Sequence, residues 1–215
     1  MRFDKTMLRL YAVTDRAWTG KKTLFEQIER ALKGGVTMVQ LREKRLSHEE
    51  LVAEAKAVAA LCHRYGVPLI VNDDADAALE AGADGVHVGA EDAPVAAIRA
   101  RAGKGFIIGA TAKTAKQAQR AEREGADYLG VGAVFPSPTK QNAVRITARQ
   151  LCDICASVSI PAAAIGGITA DNLEALRGGG MAGIAVVSAI FSAEDEEAAA
   201  RDLLRRVNDL LEEDA

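Results

Sequence analysis

The sequence predicts a single-domain (β/α)8 barrel of the TIM type, and three observations lead to this prediction. First, one pattern occurs four times: a glycine that ends a helix, one or two small or acidic residues, and then an apolar run. The four copies begin at Gly35, Gly82, Gly125 and Gly180. Second, the copies are roughly 45 to 55 residues apart, about twice the length of a compact βα unit. Third, each interval contains a further apolar run, so the chain has eight predicted strands.

The composition is compatible with one buried barrel. The chain has 215 residues, of which 49% are hydrophobic and only 4% aromatic. A core of Ala, Val, Leu and Ile suits parallel strands that are buried on both faces. No Pro-, Gly- or Ser-rich linker divides the sequence. We therefore predict one domain over residues 1–215, with its core at about 8–211.

The charge and cysteine content exclude several classes of function. The formal net charge is −3, and the Lys and Arg residues are scattered, which argues against nucleic-acid binding. No apolar run is long enough to span a membrane, and residues 1–9 lack an apolar signal core, so we expect a cytoplasmic protein. The three cysteines, Cys62, Cys152 and Cys155, do not form two CxxC pairs, so we expect reduced thiols. The sequence leaves the oligomeric state open.

The strands are predicted from short apolar runs that follow turn residues. These runs cover residues 8–14, 37–41, 68–71, 85–88, 106–109, 128–131, 161–165 and 183–187.

The helices between the strands are predicted from apolar periodicity and from capping residues. Leu24 and Ile28 lie on one face of the first helix, Ser47 and Glu50 form a capping box for the second, and Pro94 begins the fourth. The predicted helices cover residues 23–33, 47–65, 74–80, 94–102, 114–124, 147–156, 171–177 and about 195–211.

Three polar residues at the end of the second strand indicate a binding site. Gln40, Arg42 and Lys44 occupy alternate positions, so they share one face and rise by about 6 to 7 Å per step toward the barrel mouth. The alternative is a solvated strand end whose charges pair with Glu43. Catalytic residues of such barrels gather at the carboxyl ends of the strands, which favours the binding site.

Two carboxylates follow the third and fourth strands. Adjacent strands bring Asp73 and Asp92 within reach of one ion, and Asn72 precedes the first of them. Two carboxylates with water and substrate oxygens are typical ligands of Mg²⁺. The alternative is that each Asp caps the helix behind it. The neighbouring cations and Asn72 favour the metal site.

A second anion site is predicted after the seventh and eighth strands. Gly166-Gly167 and Ser188 follow these strands, where barrels commonly bind phosphate through backbone amides. A tight turn is the alternative for the two glycines. Thr111, after the fifth strand, either donates its hydroxyl to an anion or caps the next helix.

The remaining candidates are a long loop and three histidines. Lys140 lies in the turn-rich segment 135–145 and can reach between the two anion sites. We expect His48 and His63 to be core or surface residues, and His87 to lie near the mouth without a catalytic partner. With no triad and no histidine-rich metal set, the pattern fits the joining of two phosphorylated molecules with loss of a diphosphate.

Six segments, in order along the chain, resemble the motifs of the thiamine phosphate synthase family. They are Gln40-Leu41-Arg42-Glu43-Lys44, Val71-Asn72-Asp73, Gly85-Val86-His87-Val88-Gly89 with Glu91-Asp92, Phe135-Pro136-Ser137-Pro138-Thr139-Lys140, Ile165-Gly166-Gly167-Ile168 and Val186-Val187-Ser188-Ala189-Ile190. The resemblance implies a transferase that joins aminomethylpyrimidine diphosphate to thiazole phosphate and releases pyrophosphate, with Mg²⁺ and by a dissociative mechanism.

The resemblance also implies roles for individual residues. The pyrimidine diphosphate would be held by Gln40, Arg42, Lys44, Asn72, Thr111 and Lys140. The thiazole phosphate would be held by Ser137, Thr139, Gly167, Val187 and Ser188. Asp73 and Asp92 would bind Mg²⁺, and the catalytic cations would be Arg42, Lys44 and Lys140.

The sequence departs from the family pattern at four positions. Thr111 stands where Ser is usual and Ser137 where Thr is frequent, and both keep a hydroxyl. Ala90 stands where Gln is common and Lys113 where His is common. Two alternatives remain: a related thiazole tautomerase, and a phosphate-binding barrel without activity. The presence of Asp73 and Asp92 favours the synthase over both.

Overall fold

The computed structural model describes residues 2–20, 22–137 and 144–212. Within these ranges eight parallel strands close a barrel in chain order, and the last strand pairs back with the first. This confirms the predicted (β/α)8 barrel. The strands are β1 (Leu10–Val13), β2 (Met38–Leu41), β3 (Leu69–Asn72), β4 (Gly85–Val88), β5 (Ile107–Ala112), β6 (Tyr128–Gly132), β7 (Ala162–Ile165) and β8 (Gly183–Val186).

Helices surround the barrel and connect its strands. They are α1 (Leu24–Lys33), α2 (His48–Arg64), α3 (Ala75–Ala81), α4 (Val95–Ala102), α5 (Ala115–Glu124), α6 (Ala148–Ala156), α7 (Ser188–Phe191) and α8 (Glu196–Glu212). The capping box predicted at Ser47 and Glu50 is present at the start of α2. None of the helices in the described ranges is both long and apolar enough to cross a bilayer.

The helix predicted over residues 171–177 is wrong. The segment forms only a short 3-10 turn, Leu173–Leu176. The Asn172 side chain accepts a hydrogen bond from the Thr169 amide and donates one to the Gly167 carbonyl, both at 2.9 Å, which ties the segment to the turn after β7. Three glycines follow from Gly178, so the segment is too short to form enough hydrogen bonds to offset the free energy of helix nucleation.

The first strand is shorter and the fifth longer than predicted. Leu8 belongs to a 3-10 turn, Lys5–Leu8, so β1 starts two residues later than expected. Strand β5 continues to Ala112 and therefore contains Thr111. This change places the Thr111 side chain on the strand itself rather than in the following loop.

The core has two layers because side chains alternate between the two faces of each strand. The outer layer packs the strands against the helices and includes Leu10, Val39 and Val71. The inner layer fills the barrel and contains Leu8, Tyr11, Val13, Met38, Ile70, Ile107, Tyr128, Ala163 and Ala185. Because side chains alternate, every second residue after one of these inner residues on the same strand also faces the interior. Gln40, Asn72 and Thr111 are among them.

Two glycines make room for large rings inside the barrel. The register of β5 and β6 places Gly109 beside Tyr128, and a Cβ atom at Gly109 would overlap the Tyr128 ring. A Cβ atom at Gly130 would lie 3.0 Å from Cε1 of His87. These positions are therefore glycine because the barrel interior has no space for a further methyl group.

We predict that Gly109→Ala lowers the free energy of unfolding by about 1–3 kcal/mol, because the added methyl group displaces Tyr128 or His87. Urea unfolding measures this change. Gly105→Ala is the matched control, since nothing lies within 4 Å of a Cβ atom there. Its effect should stay within about 0.5 kcal/mol. Equal effects of the two substitutions would show that the interior is less tightly packed than described.

Candidate active site

A cavity opens at the carboxyl ends of the strands, inside the barrel mouth. Eight of the predicted site residues line it: Gln40, Arg42, Asn72, Thr111, Ser137, Gly167, Val187 and Ser188. An adjoining, more polar opening is lined by Lys44, Asp73 and Asp92, and it shares Arg42, Asn72 and Thr111 with the first. The structure therefore brings most of the predicted residues to one mouth. Thr139 and Lys140 lie outside the described residues, so their roles stay predictions.

The two carboxylates are not helix caps, contrary to the alternative from the sequence. The side chain of Asp74, not Asp73, caps α3, and Pro94 precedes α4 without a side-chain cap. Asp92 Oδ2 instead accepts a hydrogen bond from the Gly89 amide at 2.7 Å. Asp73 adopts a left-handed backbone with a φ of 64°. This uncommon conformation places its carboxylate beside Lys44, whose Nζ donates to Oδ2 at 2.6 Å.

Asp73 and Asp92 share a hydrogen bond, and their pKa values move in opposite directions. Burial raises the pKa of Asp92, and the neighbouring Asp73 raises it further. Burial also acts to raise the pKa of Asp73, but hydrogen bonds from Lys44 and Asp92 outweigh it, so that the pKa falls. Two adjacent carboxylates repel each other when both are ionised, so a cation beside them is favoured.

The residues present fit a Mg²⁺ ion. Asp73 and Asp92 supply hard oxygen ligands, the kind this ion prefers. Among the described residues no group of three or more His, Cys, Asp and Glu side chains is placed to hold a metal. The remaining ligands would therefore come from water and substrate phosphate, which is the usual mode of Mg²⁺ binding.

Of the predicted cations in the described residues, Lys44 is paired with Asp73, whereas Arg42 is only loosely paired. Glu43, the partner considered for them, lies 2.9 Å from Nε of Arg16 instead. Arg42 is held through its backbone, whose amide donates to Thr14 Oγ1 at 2.9 Å, while its guanidinium lies 3.9 Å from Asp15. Lys113 also lines both openings, so a further cation faces the same space.

A chain of buried hydrogen bonds lies in and behind one wall of the cavity. It connects Gln40, Tyr11, Tyr128, His87 and Thr111. Burial lowers the pKa of His87 to about 4, so its imidazole is neutral at pH 7. Thr111 takes part in this chain and does not cap α5, which is capped by Thr114.

Sequence reasoning missed the two tyrosines of this wall. In a strand, Tyr11 and Tyr128 look like ordinary core residues, because their rings are apolar. The available signal was their position: Tyr11 lies two residues before Val13 on the inner face, and Tyr128 lies beside Gly109. A hydroxyl on an inner face needs a polar partner there.

The opposite side of the cavity offers backbone groups and hydroxyls. Gly166 and Gly167 have φ values of 104° and 63°, and a Cβ atom at Gly167 would overlap the carbonyl of Pro136. The turn and its packing against the loop after β6 thus require both glycines. Helix α7 begins at Ser188, and the first amides of a helix have no acceptor within it. This side therefore suits a phosphate group without a cation.

The remaining histidines and the cysteines do not line the two openings. His48 Nδ1 lies 3.3 Å from Asp74, and His63 Nε2 lies 2.7 Å from Asp84, so each partly exposed ring contacts a carboxylate. The three cysteines are free thiols. Cys152 is exposed, and burial raises the pKa of Cys155 to about 11.

Comparisons with known proteins agree with the geometry. The profile of the family described as Thiamine monophosphate synthase matches residues 10–190. The chain is 43% identical over 208 residues to Thiamine-phosphate synthase 2 of Streptococcus pneumoniae serotype 4, covering 97% of this chain and 99% of that protein. It is 46% identical over 195 residues to the Thiamine-phosphate synthase of Ruminiclostridium cellulolyticum, covering 91% of this chain and 93% of that one.

A solved structure gives the same result. The chain superposes on a thiamine phosphate pyrophosphorylase from Pyrococcus furiosus with a TM-score of 0.88 and 38% identity, covering 96% of this chain and 98% of that one. The resemblance and the expected class of enzyme are confirmed. With matches over most of its length to the family profile, to these relatives and to this structure, the chain belongs to the thiamine monophosphate synthase family.

Proposed function

We propose that this protein joins 4-amino-2-methyl-5-(diphosphooxymethyl)pyrimidine to 4-methyl-5-(2-phosphooxyethyl)thiazole, giving thiamine phosphate and pyrophosphate, with Mg²⁺ as cofactor. The observation that carries the proposal is the pairing of two unlike anion sites in one barrel mouth. Lys44, Asp73 and Asp92 lie on one side, and Gly167 and Ser188 lie on the other. Such a mouth can hold a metal-bound diphosphate and a monophosphate at the same time.

The proposed mechanism is dissociative. The bond between the methylene carbon and the diphosphate oxygen breaks, and its electron pair leaves with the diphosphate. The thiazole nitrogen then forms a bond to the methylene carbon with its own lone pair. Positive groups aimed at the departing oxygens lower the barrier of such a reaction.

The residues on the diphosphate side would stabilise the leaving group. Arg42 and Lys44 would bind its oxygens, and Asn72 and Thr111 would hydrogen-bond it. A Mg²⁺ held by Asp73 and Asp92 would supply further positive charge there. Lys140 keeps its predicted role as a third cation on this group.

The residues on the other side would hold the thiazole phosphate. Ser137 and Ser188 would donate hydroxyls, and the backbone at Gly167 and Val187 would approach it closely. Thr139 keeps its predicted role here. The thiazole nitrogen is itself the nucleophile, so the protein needs none; His87 has both ring nitrogens within a hydrogen-bonded chain.

The direct test is incubation of the protein with both substrates and Mg²⁺. We expect pyrophosphate and thiamine phosphate to appear in equal amounts, measured by 31P NMR. Omission of either substrate should stop the release of pyrophosphate. Isomerisation of a thiazole precursor without release of pyrophosphate would support the tautomerase instead, and absence of both reactions would support a barrel without activity.

We predict that Arg42→Ala lowers kcat/KM by about 100- to 1,000-fold, because it removes positive charge from the leaving group. The free energy of unfolding should change by less than about 1 kcal/mol, since the side chain is partly exposed and its ion pair with Asp15 is long. Arg45→Ala, an exposed position in the same loop, is the control for general loss of charge. Parallel losses of activity and stability would assign Arg42 a structural role.

We predict that Asp92→Asn raises the Mg²⁺ concentration for half-maximal activity by about 10- to 100-fold, because the neutral amide is a weaker ligand. A Mg²⁺ titration of the initial rate measures this change. Glu91→Gln is the matched control, since Glu91 is an adjacent exposed carboxylate at the same opening. An unchanged titration for Asp92→Asn, or an equal shift for Glu91→Gln, would contradict the metal site.

A further inference from the structure

Four hydrogen bonds run without interruption across the interior of the barrel. Gln40 Nε2 lies 2.5 Å from the Tyr11 hydroxyl, which lies 2.8 Å from the Tyr128 hydroxyl. The Tyr128 hydroxyl lies 3.1 Å from Nδ1 of His87, and Nε2 of His87 lies 3.0 Å from the Thr111 hydroxyl. We call these five residues the hydrogen-bond chain. It begins on β2 and ends on β5, at the mouth.

The chain has a direction, which its first member sets. Gln40 Nε2 can only donate, so the Tyr11 hydroxyl accepts there, and among the described residues its own hydrogen has only the Tyr128 oxygen as an acceptor. Tyr128 must then give its hydrogen to Nδ1 of His87. The neutral imidazole therefore carries its hydrogen on Nε2 and donates it to Thr111.

The surroundings keep the rings of the chain in place. The ring of Phe3 stacks on that of Tyr128, with centroids 5.7 Å apart and planes inclined by 21°. Gly109 and Gly130 leave space for the rings but none to spare. Among the residues that the structure describes, the two tyrosine hydroxyls and the His87 ring have no other hydrogen-bond partners. Tyr128 is fully buried and Tyr11 is 2% exposed, so water has little access to the two hydroxyls.

The direction of the chain determines what Thr111 can do. Because its oxygen already accepts from His87, its own hydrogen is left to donate to another group. Thr111 lines both the inner cavity and the opening that holds Asp73 and Asp92. A hydroxyl that is fixed as a donor suits an anion, whereas one free to rotate loses part of that benefit.

We propose that the hydrogen-bond chain is a positioning device: Gln40 fixes its direction, so that His87 keeps its hydrogen on Nε2 and Thr111 donates to the leaving diphosphate. Tyr11, Tyr128 and His87 are positioning residues in this arrangement. The last link, from Thr111 to diphosphate, rests on the proposed function. The direction of the chain does not, because it is a property of the protein without substrate.

The first test therefore uses the unliganded protein. The 15N chemical shifts and two-bond couplings of histidine rings show which nitrogen carries the hydrogen. The protein has three histidines. The signals of His87 can be identified because they are lost in His87→Gln, and those of His48 and His63 serve as references. We expect hydrogen on Nε2 of His87 at neutral pH. Hydrogen on Nδ1, or a mixture of the two forms, would overturn the proposal even in an active enzyme.

The second test separates positioning from a structural effect. Tyr128→Phe removes the hydrogen given to His87 but keeps the ring, and we expect kcat to fall about tenfold. In a Thr111→Val background the same substitution should change kcat by less than about twofold, because the affected donor is already gone. Equal losses in both backgrounds would overturn the proposal.

Two further variants keep this test decisive. Tyr65→Phe is the matched control, because this exposed tyrosine donates to Glu29 outside the barrel, and it should leave kcat unchanged. If Tyr128→Phe does not fold, Tyr11→Phe interrupts the chain one link earlier and should show the same dependence on Thr111. If the wild-type protein releases no pyrophosphate, the proposed function fails, and the NMR test still decides the direction of the chain.

Discussion

Polar side chains inside this barrel are stable only because each finds a partner there. Parallel strands are buried on both faces, so below the mouth the inner faces of the strands lie away from water. A hydroxyl, amide or imidazole in that position costs free energy unless it is hydrogen-bonded. The chain from Gln40 to Thr111 meets this requirement with its own members. The two glycines beside its rings, and the neutral state of His87, follow from the same constraint.

The mouth of the barrel is more polar than its interior, and its polar groups are charged side chains that pair with one another. Lys44 neutralises Asp73, while Asp92 keeps a raised pKa beside it. A metal diphosphate would replace these internal contacts with its own charges of both signs. The site on β7 and β8 has backbone and hydroxyl groups instead, so it suits a monophosphate. The asymmetry between the two sides is what distinguishes a condensing enzyme from a barrel that only binds phosphate.

Much of this arrangement follows from the sequence, because strand periodicity fixes which side chains share a face. Gln40 and Arg42 were placed correctly by alternation alone. The role of Thr111 stayed open, since its strand extends further than its apolar run, and only the structure shows that Thr114 is the cap. The hydrogen-bonding roles of Tyr11 and Tyr128 were missed because, in an apolar strand pattern, tyrosine reads as a core residue. The helix over residues 171–177 was wrong because the segment is short and three glycines follow it from Gly178, so only a 3-10 turn forms.

The central claim is that one mouth holds two different anions at once. Calorimetry can test it directly: thiazole phosphate is titrated into the protein alone and into protein saturated with Mg²⁺ and pyrophosphate. The account predicts that one molecule of thiazole phosphate binds per chain in both titrations, because bound pyrophosphate does not occupy the thiazole phosphate site. Loss of thiazole phosphate binding when pyrophosphate is present would show that both ligands compete for a single anion site, and it would contradict the account.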